Sequence, residues 1–381
     1  MLRPDYSNCI LNLVSSVLKG TDNKADLSGL LKPLKQLPTI NFDKKNTLVL
    51  IIDGLGYEFL KNHGKKSFMY KNLHSRITSV FPSTTASAIT SFFTGLTPAE
   101  HASTGWFVWL KEFGCVTSIL PFETRCGGLP FSATGIMPQD VIKGSSIFNR
   151  VNVNSAIINK HDIINSEASE IFFGMHSRYP YETLNGLFLQ AKKALKRPDK
   201  NLVFAYWPHF DKLAHEKGIN HKDVIKHFKE LDAKLSKFTK NLKNTKVIVT
   251  SDHGLIDSTK NKNIRLQNHP KLEKILRLPL CGEPRTAYCY VKAGMNKEFE
   301  NYVKKLEWCD CYPSDELVKK NFFGPGKNPQ LKERIGDYCL LMKDNYVLLD
   351  LVYGEYREKL VGFHGGVSKE EMYVPLIDIE T

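Results

Sequence analysis

Aspartate and histidine residues occur at four places in this chain that are predicted to be strand ends or glycine-flanked loops. Their carboxylate oxygens and imidazole nitrogens are the ligand types that zinc and similar metals take. The six candidates are Asp53, Asp211, His215, Asp252, His253 and His364. They divide into two groups of three, and each group would leave one coordination position open, as a catalytic metal requires.

Each of these places alone has an ordinary explanation. A strand-end aspartate such as Asp53 is commonly a helix cap, and Asp252-His253 before a glycine can be turn chemistry. The i,i+4 spacing of Asp211 and His215 points both side chains the same way on a helical turn, but such pairs also occur by chance. The joint occurrence of all four places favours a metal site.

A hydroxyl-rich segment, Ser83-Thr84-Thr85, precedes a predicted helix from Ala86 to Thr94. Two metal ions suit in-line displacement at phosphorus, and the nucleophile should be a hydroxyl at a helix N-terminus, where an anion is favoured. Thr85 meets this description. The alternative is that Thr84 and Thr85 only cap the helix.

Buried strands must position these residues. The runs Thr47–Ile52, Asn201–Tyr206 and Thr245–Thr250 each contain a continuous apolar stretch, which is typical of central parallel strands. Ligands of open α/β sheets lie outside the carboxyl ends of such strands. We therefore predict an α/β fold with a mostly parallel central sheet flanked by helices, such as the amphipathic helix predicted over His221–Leu242.

The sequence pattern changes from Arg285 onward. It predicts a strand at Thr286–Val291, a helix at Lys297–Leu306, and a hairpin of Tyr338–Lys343 and Tyr346–Leu351 that turns at Asp344-Asn345. We expect one catalytic domain over residues 1–381, with a smaller inserted α+β lobe at about 280–355.

Composition limits the partners. The formal charge of +13 suggests anionic partners, but the lysines are spread along the chain and no nucleic-acid-binding motif appears. A diffuse basic surface that attracts small phosphate compounds and a generally lysine-rich composition both explain the charge. We expect no specific nucleic acid and no membrane span.

The N-terminus and the cysteines indicate the compartment. Residues 1–20 read as an amphipathic helix with Ser7 as its cap, and not as a secretory signal. The eight cysteines lack zinc-ribbon spacing, and a close pair such as Cys309/Cys311 is more often incidental than a metal site. We expect reduced thiols and a cytoplasmic protein, with export by a non-classical signal left open.

The chain resembles the type I phosphodiesterase/nucleotide pyrophosphatase branch of the alkaline phosphatase superfamily over Leu48 to about Pro375. The motifs occur in family order: Leu48–Gly54, Phe81–Thr85 continuing to Thr94–Pro98 with His101 after it, Asp211 with His215, Asp252-His253, and Phe363-His364-Gly365.

The resemblance implies an alkaline-phosphatase-like fold and a set of roles. One zinc ion would bind Asp211, His215 and His364, and the other would bind Asp53, Asp252 and His253, with Thr85 facing it. Two divalent ions are expected, Zn²⁺ first, with Mn²⁺ or another metal as alternatives. Thr85 would act as a covalent nucleophile in a double displacement.

One position departs from the family. Many nucleotide pyrophosphatases carry an Asn after the nucleophile helix that bonds a phosphate oxygen, and Trp106 occupies the aligned position here. Trp106 could stack on a base or leaving group, or simply pack. Arg285 could reach substrate phosphate, or form a surface salt bridge.

We therefore predict a two-metal hydrolase of phosphodiester or pyrophosphate bonds that acts on a nucleotide or another small phosphodiester. The alternatives are a phosphomonoesterase or phosphomutase on the same scaffold, and a non-catalytic metal-binding module. The sequence leaves the substrate's identity and the oligomeric state open.

Overall fold

A computed structural model describes residues 1–35, 42–353, 355 and 359–381. Its strands are β1 (Asn46–Ile52), β2 (Leu73–Thr78), β3 (Phe107–Leu110), β4 (Cys115–Ser118), β5 (Glu123–Thr124), β6 (Asn154–Lys160), β7 (Ser177–Tyr181), β8 (Asn201–Trp207), β9 (Thr245–Thr250), β10 (Ile256–Asp257), β11 (Asn263–Arg265), β12 (Cys281–Glu283), β13 (Thr286–Cys289), β14 (Cys309–Pro313), β15 (Tyr338–Met342), β16 (Val347–Leu349), β17 (Gly362–Phe363) and β18 (Tyr373–Glu380).

Its α-helices are α1 (Ile10–Thr21), α2 (Tyr57–His63), α3 (Phe68–Lys71), α4 (Thr85–Thr94), α5 (Pro98–His101), α6 (Pro138–Val141), α7 (His161–Ile164), α8 (Glu167–Phe173), α9 (Leu184–Leu195), α10 (His209–Lys217), α11 (Lys222–Thr239), α12 (Pro270–Ile275), α13 (Asn296–Val303), α14 (Ser314–Lys319), α15 (Leu331–Arg334) and α16 (Lys369–Met372). Among the described residues, none of these helices is long and apolar enough to cross a membrane. The cytoplasmic location stays a prediction.

The first sheet has the strand order β2-β18-β9-β1-β8-β6-β7. The five strands from β9 to β7 are mutually parallel, and β18 runs antiparallel to both β9 and β2. The predicted α/β fold with a mostly parallel central sheet is therefore confirmed. Because β18 is reversed, its first residue lies at the edge where β1, β8 and β9 end.

Helices cover both faces of this sheet. On one face α1 and α4 pack over apolar side chains such as Val49 and Ile51. On the other face α9 and α11 cover Leu48 and Leu50. Strand β1 is thus buried on both sides, which accounts for its continuous apolar sequence.

The second sheet is antiparallel and has the order β14-β15-β13-β12-β3-β4-β5. Its strands come from two stretches of the chain, 107–124 and 281–342, which meet where Gly282 of β12 pairs with Phe107 of β3. The inserted lobe at about 280–355 stays a prediction, but its sheet recruits three strands from the earlier stretch.

The predicted hairpin of Tyr338–Lys343 and Tyr346–Leu351 is wrong. Strand β15 already has β14 on one edge and β13 on the other, so neither edge is free for a returning strand. After a turn closed by the hydrogen bond from the Tyr346 N–H to the Lys343 carbonyl, β16 instead pairs in parallel with β11.

Two predicted helix boundaries shift. The first helix begins at Ile10, not near Ser7, because Asn12 Oδ1 accepts the Cys9 N–H and caps the helix there. The Ser7 hydroxyl donates to Asp5 instead. The helix predicted over His221–Leu242 is α11, which begins one residue and ends three residues inside those bounds.

Candidate active site

The first sheet brings the predicted ligands to one edge. Asp53 directly follows β1, Asp252 and His253 follow β9 closely, and Asp211 and His215 lie on α10 after β8. His364 follows β17 and precedes the reversed strand β18. Chain segments that are far apart in sequence therefore meet because their strands begin or end at the same edge.

Asp53, Asp252 and His253 form one group of buried ligand atoms that all lie within 4.8 Å of one another. His253 Nε2 lies 3.3 Å from Asp53 Oδ1 and 3.5 Å from Asp252 Oδ2. The hydroxyl of Tyr206 donates to the other oxygen of Asp53. Asp252 Oδ1 accepts the N–H groups of Gly54 and His253, which fixes the orientation of its carboxylate.

The second group of ligand atoms contains His253 where the sequence predicted His215 beside Asp211 and His364. Asp211, His253 and His364 offer ligand atoms within 4.8 Å of one another, so His253 belongs to both groups. Its ring stacks on that of His364, with centroids 3.9 Å apart. His215 lies beside this group, with Nε2 3.2 Å from Asp211 Oδ2.

Four buried atoms in the cluster have no hydrogen-bond partner among the described residues: Asp53 Oδ1, Asp211 Oδ1, Asp252 Oδ2 and His364 Nδ1. Leaving buried polar atoms unpaired is costly, so such atoms require a ligand. Two groups of carboxylate and imidazole ligands that share a histidine fit divalent cations of the zinc type. The residues present therefore fit the expected metals.

The pKa shifts in the cluster also fit a site for divalent cations. Burial raises the pKa of Asp53, and the nearby carboxylates of Asp252 and Asp211 raise it further. Burial would lower the pKa of His215, but Asp211 outweighs it and raises the value to about 9. The Gly362 carbonyl lies 2.7 Å from His215 Nδ1 and can accept a hydrogen bond from it, while Nε2 faces Asp211.

Thr85 is the first residue of α4, and its Oγ1 lies 3.0 Å from His253 Nε2. Neither Thr84 nor Thr85 caps the helix through its side chain, because Thr84 Oγ1 donates to Glu283 at 2.6 Å. The capping alternative for the two hydroxyls is therefore wrong. The helix N-terminus and the cluster face the same hydroxyl.

Trp106 and Arg285 occupy different settings. Trp106 is 36% exposed, and its backbone N–H donates to Glu283 Oε1 at 2.7 Å. Arg285 is 1% exposed and binds both oxygens of Glu371, at 3.1 and 2.9 Å, and the Tyr346 carbonyl at 2.6 Å. The surface salt bridge considered for Arg285 is wrong, because this ion pair is buried.

Two residues of the site had no sequence prediction. Tyr206 is a phenol near the end of an otherwise apolar strand, and that anomaly could have marked it. Glu283 is buried at the end of β12, and burial raises its pKa to about 7 against the hydrogen bonds from Thr84 and Trp106. The feature of the sequence that could have identified it is a carboxylate at the end of a short buried strand.

Close backbone contacts fix the relative positions of the loops that carry the cluster. A Cβ on Gly254 would clash with the Glu370 carbonyl and lie 2.7 Å from the Gly56 Cα. The loops after β1 and β9 therefore cross each other at the closest distance that backbones allow.

A mostly parallel sheet with an Asp/His cluster at its carboxyl edge is the architecture of the alkaline phosphatase superfamily. The family model for type I phosphodiesterase / nucleotide pyrophosphatase matches residues 47–366. The chain belongs to this family, which supports a hydrolase of the phosphodiesterase or pyrophosphatase type. Family members use divalent metals.

Solved structures share the fold. Murine ectonucleotide pyrophosphatase/phosphodiesterase 5 is 18% identical, with 87% of each chain covered and a TM-score of 0.65. Phosphonoacetate hydrolase from Sinorhizobium meliloti 1021, solved with phosphonoformate, is 16% identical, with 89% of this chain and 91% of that chain covered and a TM-score of 0.66. Comparison with curated protein sequences gives no significant match.

Proposed function

We propose that the protein hydrolyses phosphodiester or pyrophosphate bonds with two divalent metal ions and a covalent threonine intermediate. The observation that carries this proposal is the 3.0 Å distance between Thr85 Oγ1 and His253 Nε2, at the point where the two ligand groups meet. A hydroxyl there has both a helix N-terminus and a charged cluster beside it.

Asp53, Asp252 and His253 would hold one ion, and Asp211, His364 and His215 would hold the other. Zn²⁺ is the expected metal, because carboxylate and imidazole ligands with an open position suit it. Ions bound there would supply Lewis-acid stabilisation of the phosphoryl oxygens and lower the pKa of a coordinated hydroxyl.

The residues of the chain would then divide the work. Thr85 Oγ1, after its proton has passed to solvent, attacks phosphorus and expels the leaving alcohol or phosphate as an oxyanion, which solvent reprotonates. The product is a phospho- or nucleotidyl-threonine. Water later attacks the same phosphorus from the opposite side and releases Thr85. Tyr206 keeps Asp53 oriented, and the first turn of α4 offers N–H groups to the phosphoryl oxygens.

A nucleotide or another small phosphodiester is the substrate class that we propose. An inactive threonine-to-alanine variant of the murine neighbour was solved with AMP, and the bacterial neighbour was solved with phosphonoacetate. Trp106 is exposed, and its backbone N–H donates to the Glu283 carboxyl, which also accepts a hydrogen bond from Thr84. The indole of Trp106 offers a flat surface for a base or an aromatic leaving group.

The test compares hydrolysis of bis-p-nitrophenyl phosphate and p-nitrophenyl phosphate by metal-loaded protein, with Thr85→Ala and Thr90→Ala. Thr90 is a matched control because its hydroxyl is buried in the same helix and bonds the Ala86 carbonyl. We expect diester preference, and a loss of at least about 10³-fold in Thr85→Ala alone, since the nucleophile is removed.

Three results would contradict the proposal. Full metal-dependent turnover by Thr85→Ala would exclude the covalent mechanism. A strong preference for the monoester would favour the phosphomonoesterase alternative. Stoichiometric metal without turnover of either substrate would favour the non-catalytic binding module.

A further inference from the structure

Glu283 is a buried carboxyl group that lies beside the nucleophile loop. It ends β12 and is 7% exposed. Its Oε1 accepts hydrogen bonds from the Thr84 hydroxyl at 2.6 Å and from the Trp106 N–H at 2.7 Å. Oε2 accepts no hydrogen bond from the described residues, so one oxygen of this group is held and the other remains available.

Glycines make the space that this side chain occupies. A Cβ on Gly365 would lie 2.6 Å from the Glu283 Cβ, and a Cβ on Gly105 would lie 2.6 Å from the Gly282 Cα. The nucleophile loop, the segment before Trp106 and the loop after His364 therefore all approach Glu283 closely. Its carboxyl is enclosed by three loops of the candidate site.

The turn that carries Glu283 is itself fixed in place. Arg285 forms its buried ion pair with Glu371, and the Glu371 carboxylate accepts the Gly366 N–H. Thr286 Oγ1 donates to the Gly365 carbonyl at 2.6 Å. These contacts fix the β13 side of the turn, and the hydrogen bonds from Thr84 and Trp106 hold the carboxyl itself.

We infer that Glu283 is a specificity-determining residue that disfavours a doubly charged phosphate monoester relative to a singly charged phosphodiester. Thr84 binds Glu283 and precedes the proposed nucleophile, and consecutive Cα atoms are only about 3.8 Å apart. The carboxyl thus borders the nucleophile loop, and it lies close enough to Asp211 and His215 of the second ligand group for charge–charge interaction with both. Repulsion between like charges grows with the charge on the phosphoryl oxygens of the substrate and is poorly screened where water is excluded. This inference rests on the proposed function.

The test uses Glu283→Gln, because a glutamine Oε1 still accepts both hydrogen bonds but carries no charge. Thr84→Val is the matched control, since it removes a donor and keeps the carboxylate. Assays of metal-loaded protein at pH 8.5, above the pKa of Glu283, give kcat/KM for p-nitrophenyl phosphate and bis-p-nitrophenyl phosphate. The inhibition constant of inorganic phosphate, a dianion at this pH, gives a readout independent of turnover.

In Glu283→Gln we expect the ratio of monoester to diester kcat/KM to rise about tenfold and the inhibition constant of phosphate to fall about tenfold. In Thr84→Val the ratio should stay within about twofold of the wild type. Circular dichroism checks folding, and Glu283→Ala replaces Glu283→Gln if that variant does not fold.

Two outcomes would overturn the inference. If ratio and inhibition constant both stay within about twofold in the uncharged variant, the charge does not select the substrate. If Thr84→Val changes the ratio equally, Glu283 acts only by positioning Thr84. A wild type that prefers the monoester would contradict the proposed function, yet the effect of the substitution on phosphate inhibition would still decide the role of Glu283.

Discussion

Two regions meet at the candidate site, and they treat buried charge in opposite ways. At the carboxyl edge of the first sheet, Asp53, Asp211 and Asp252 each have a buried oxygen without a hydrogen-bond partner among the described residues. At the turn between β12 and β13, Arg285 is paired with Glu371, and Glu283 accepts two hydrogen bonds.

This contrast indicates a division of labour. Unpaired carboxylates at the sheet edge cost stability, and they are tolerated because the surrounding strands are rigid and buried. At the turn of the second sheet, the Arg285–Glu371 ion pair and the hydrogen bonds to Glu283 Oε1 are made within the protein, and they link the turn to the loops that carry Thr85 and His364. The edge of the first sheet therefore has ligand atoms available for metal ions, and the turn of the second sheet contacts the loops around that edge.

The largest effect is expected from Asp252→Asn. Turnover should fall on the order of a thousandfold or more, with loss of about one metal ion per chain, because a ligand is removed. The metal-free protein should become more stable, by about 1–3 kcal/mol, since one of several buried like charges disappears near Asp53. Metal analysis and urea unfolding after chelation measure both.

Asp223→Asn is the control, since Asp223 is exposed at the start of α11. It should keep the metal content and cost less than about 1 kcal/mol. A metal-free Asp252→Asn protein that is less stable than the wild type would show that the edge is not strained by its charges.

Arg285→Met should have the opposite signature, with metal content kept and stability lost. Breaking a buried ion pair leaves Glu371 uncompensated, which costs about 3–5 kcal/mol. Lys332→Met, which removes one partner of the exposed Lys332–Asp315 pair, should cost less than about 1 kcal/mol. Urea unfolding of metal-free proteins measures the difference.

The same variant has a predicted pH dependence. Burial alone would raise the pKa of Glu371, but Arg285 and the hydrogen bonds outweigh it and lower the pKa below the ordinary value of 4.5. A lowered carboxyl pKa gives stability that is present above about 4.5 and is lost as the pH falls. The difference between wild type and Arg285→Met should therefore shrink as the pH falls below about 4.5, and a constant difference would contradict this account.

A smaller effect is expected from Gly254→Ala, which tests whether backbone contact sets the edge. The added methyl group would meet the Glu370 carbonyl, so we expect a loss of about 2–3 kcal/mol and weaker metal binding. Gly294→Ala is the control, because that position has open space and only a positive φ of 81°. It should cost about 1–2 kcal/mol and leave metal binding unchanged.

Strand periodicity predicted the first region well. Apolar stretches within β1, β8 and β9 identify these strands, and the strand ends place Asp53, Asp211 and Asp252 at one edge. The sequence did not predict that His253 is shared by both ligand groups, because that depends on side-chain direction after the strand.

The second region was harder to predict from the sequence, for a physical reason. Its sheet joins stretches about 170 residues apart through a single pairing, Gly282 with Phe107. Local patterns do not encode such long-range pairing, and they suggested a hairpin where β15 has no free edge. Glu283 was missed because its partners lie in those distant segments.

The position of β18 has a consequence for how the enzyme is made. This strand lies between β2 and β9, and in the sheet β2 pairs with β18. Synthesis proceeds from the N-terminus, so β2 and the threonine loop after it lack their sheet partner until residues 373–380 have emerged. A nascent chain would thus carry the proposed nucleophile and the proposed ligands before residues 373–380 complete this side of the sheet.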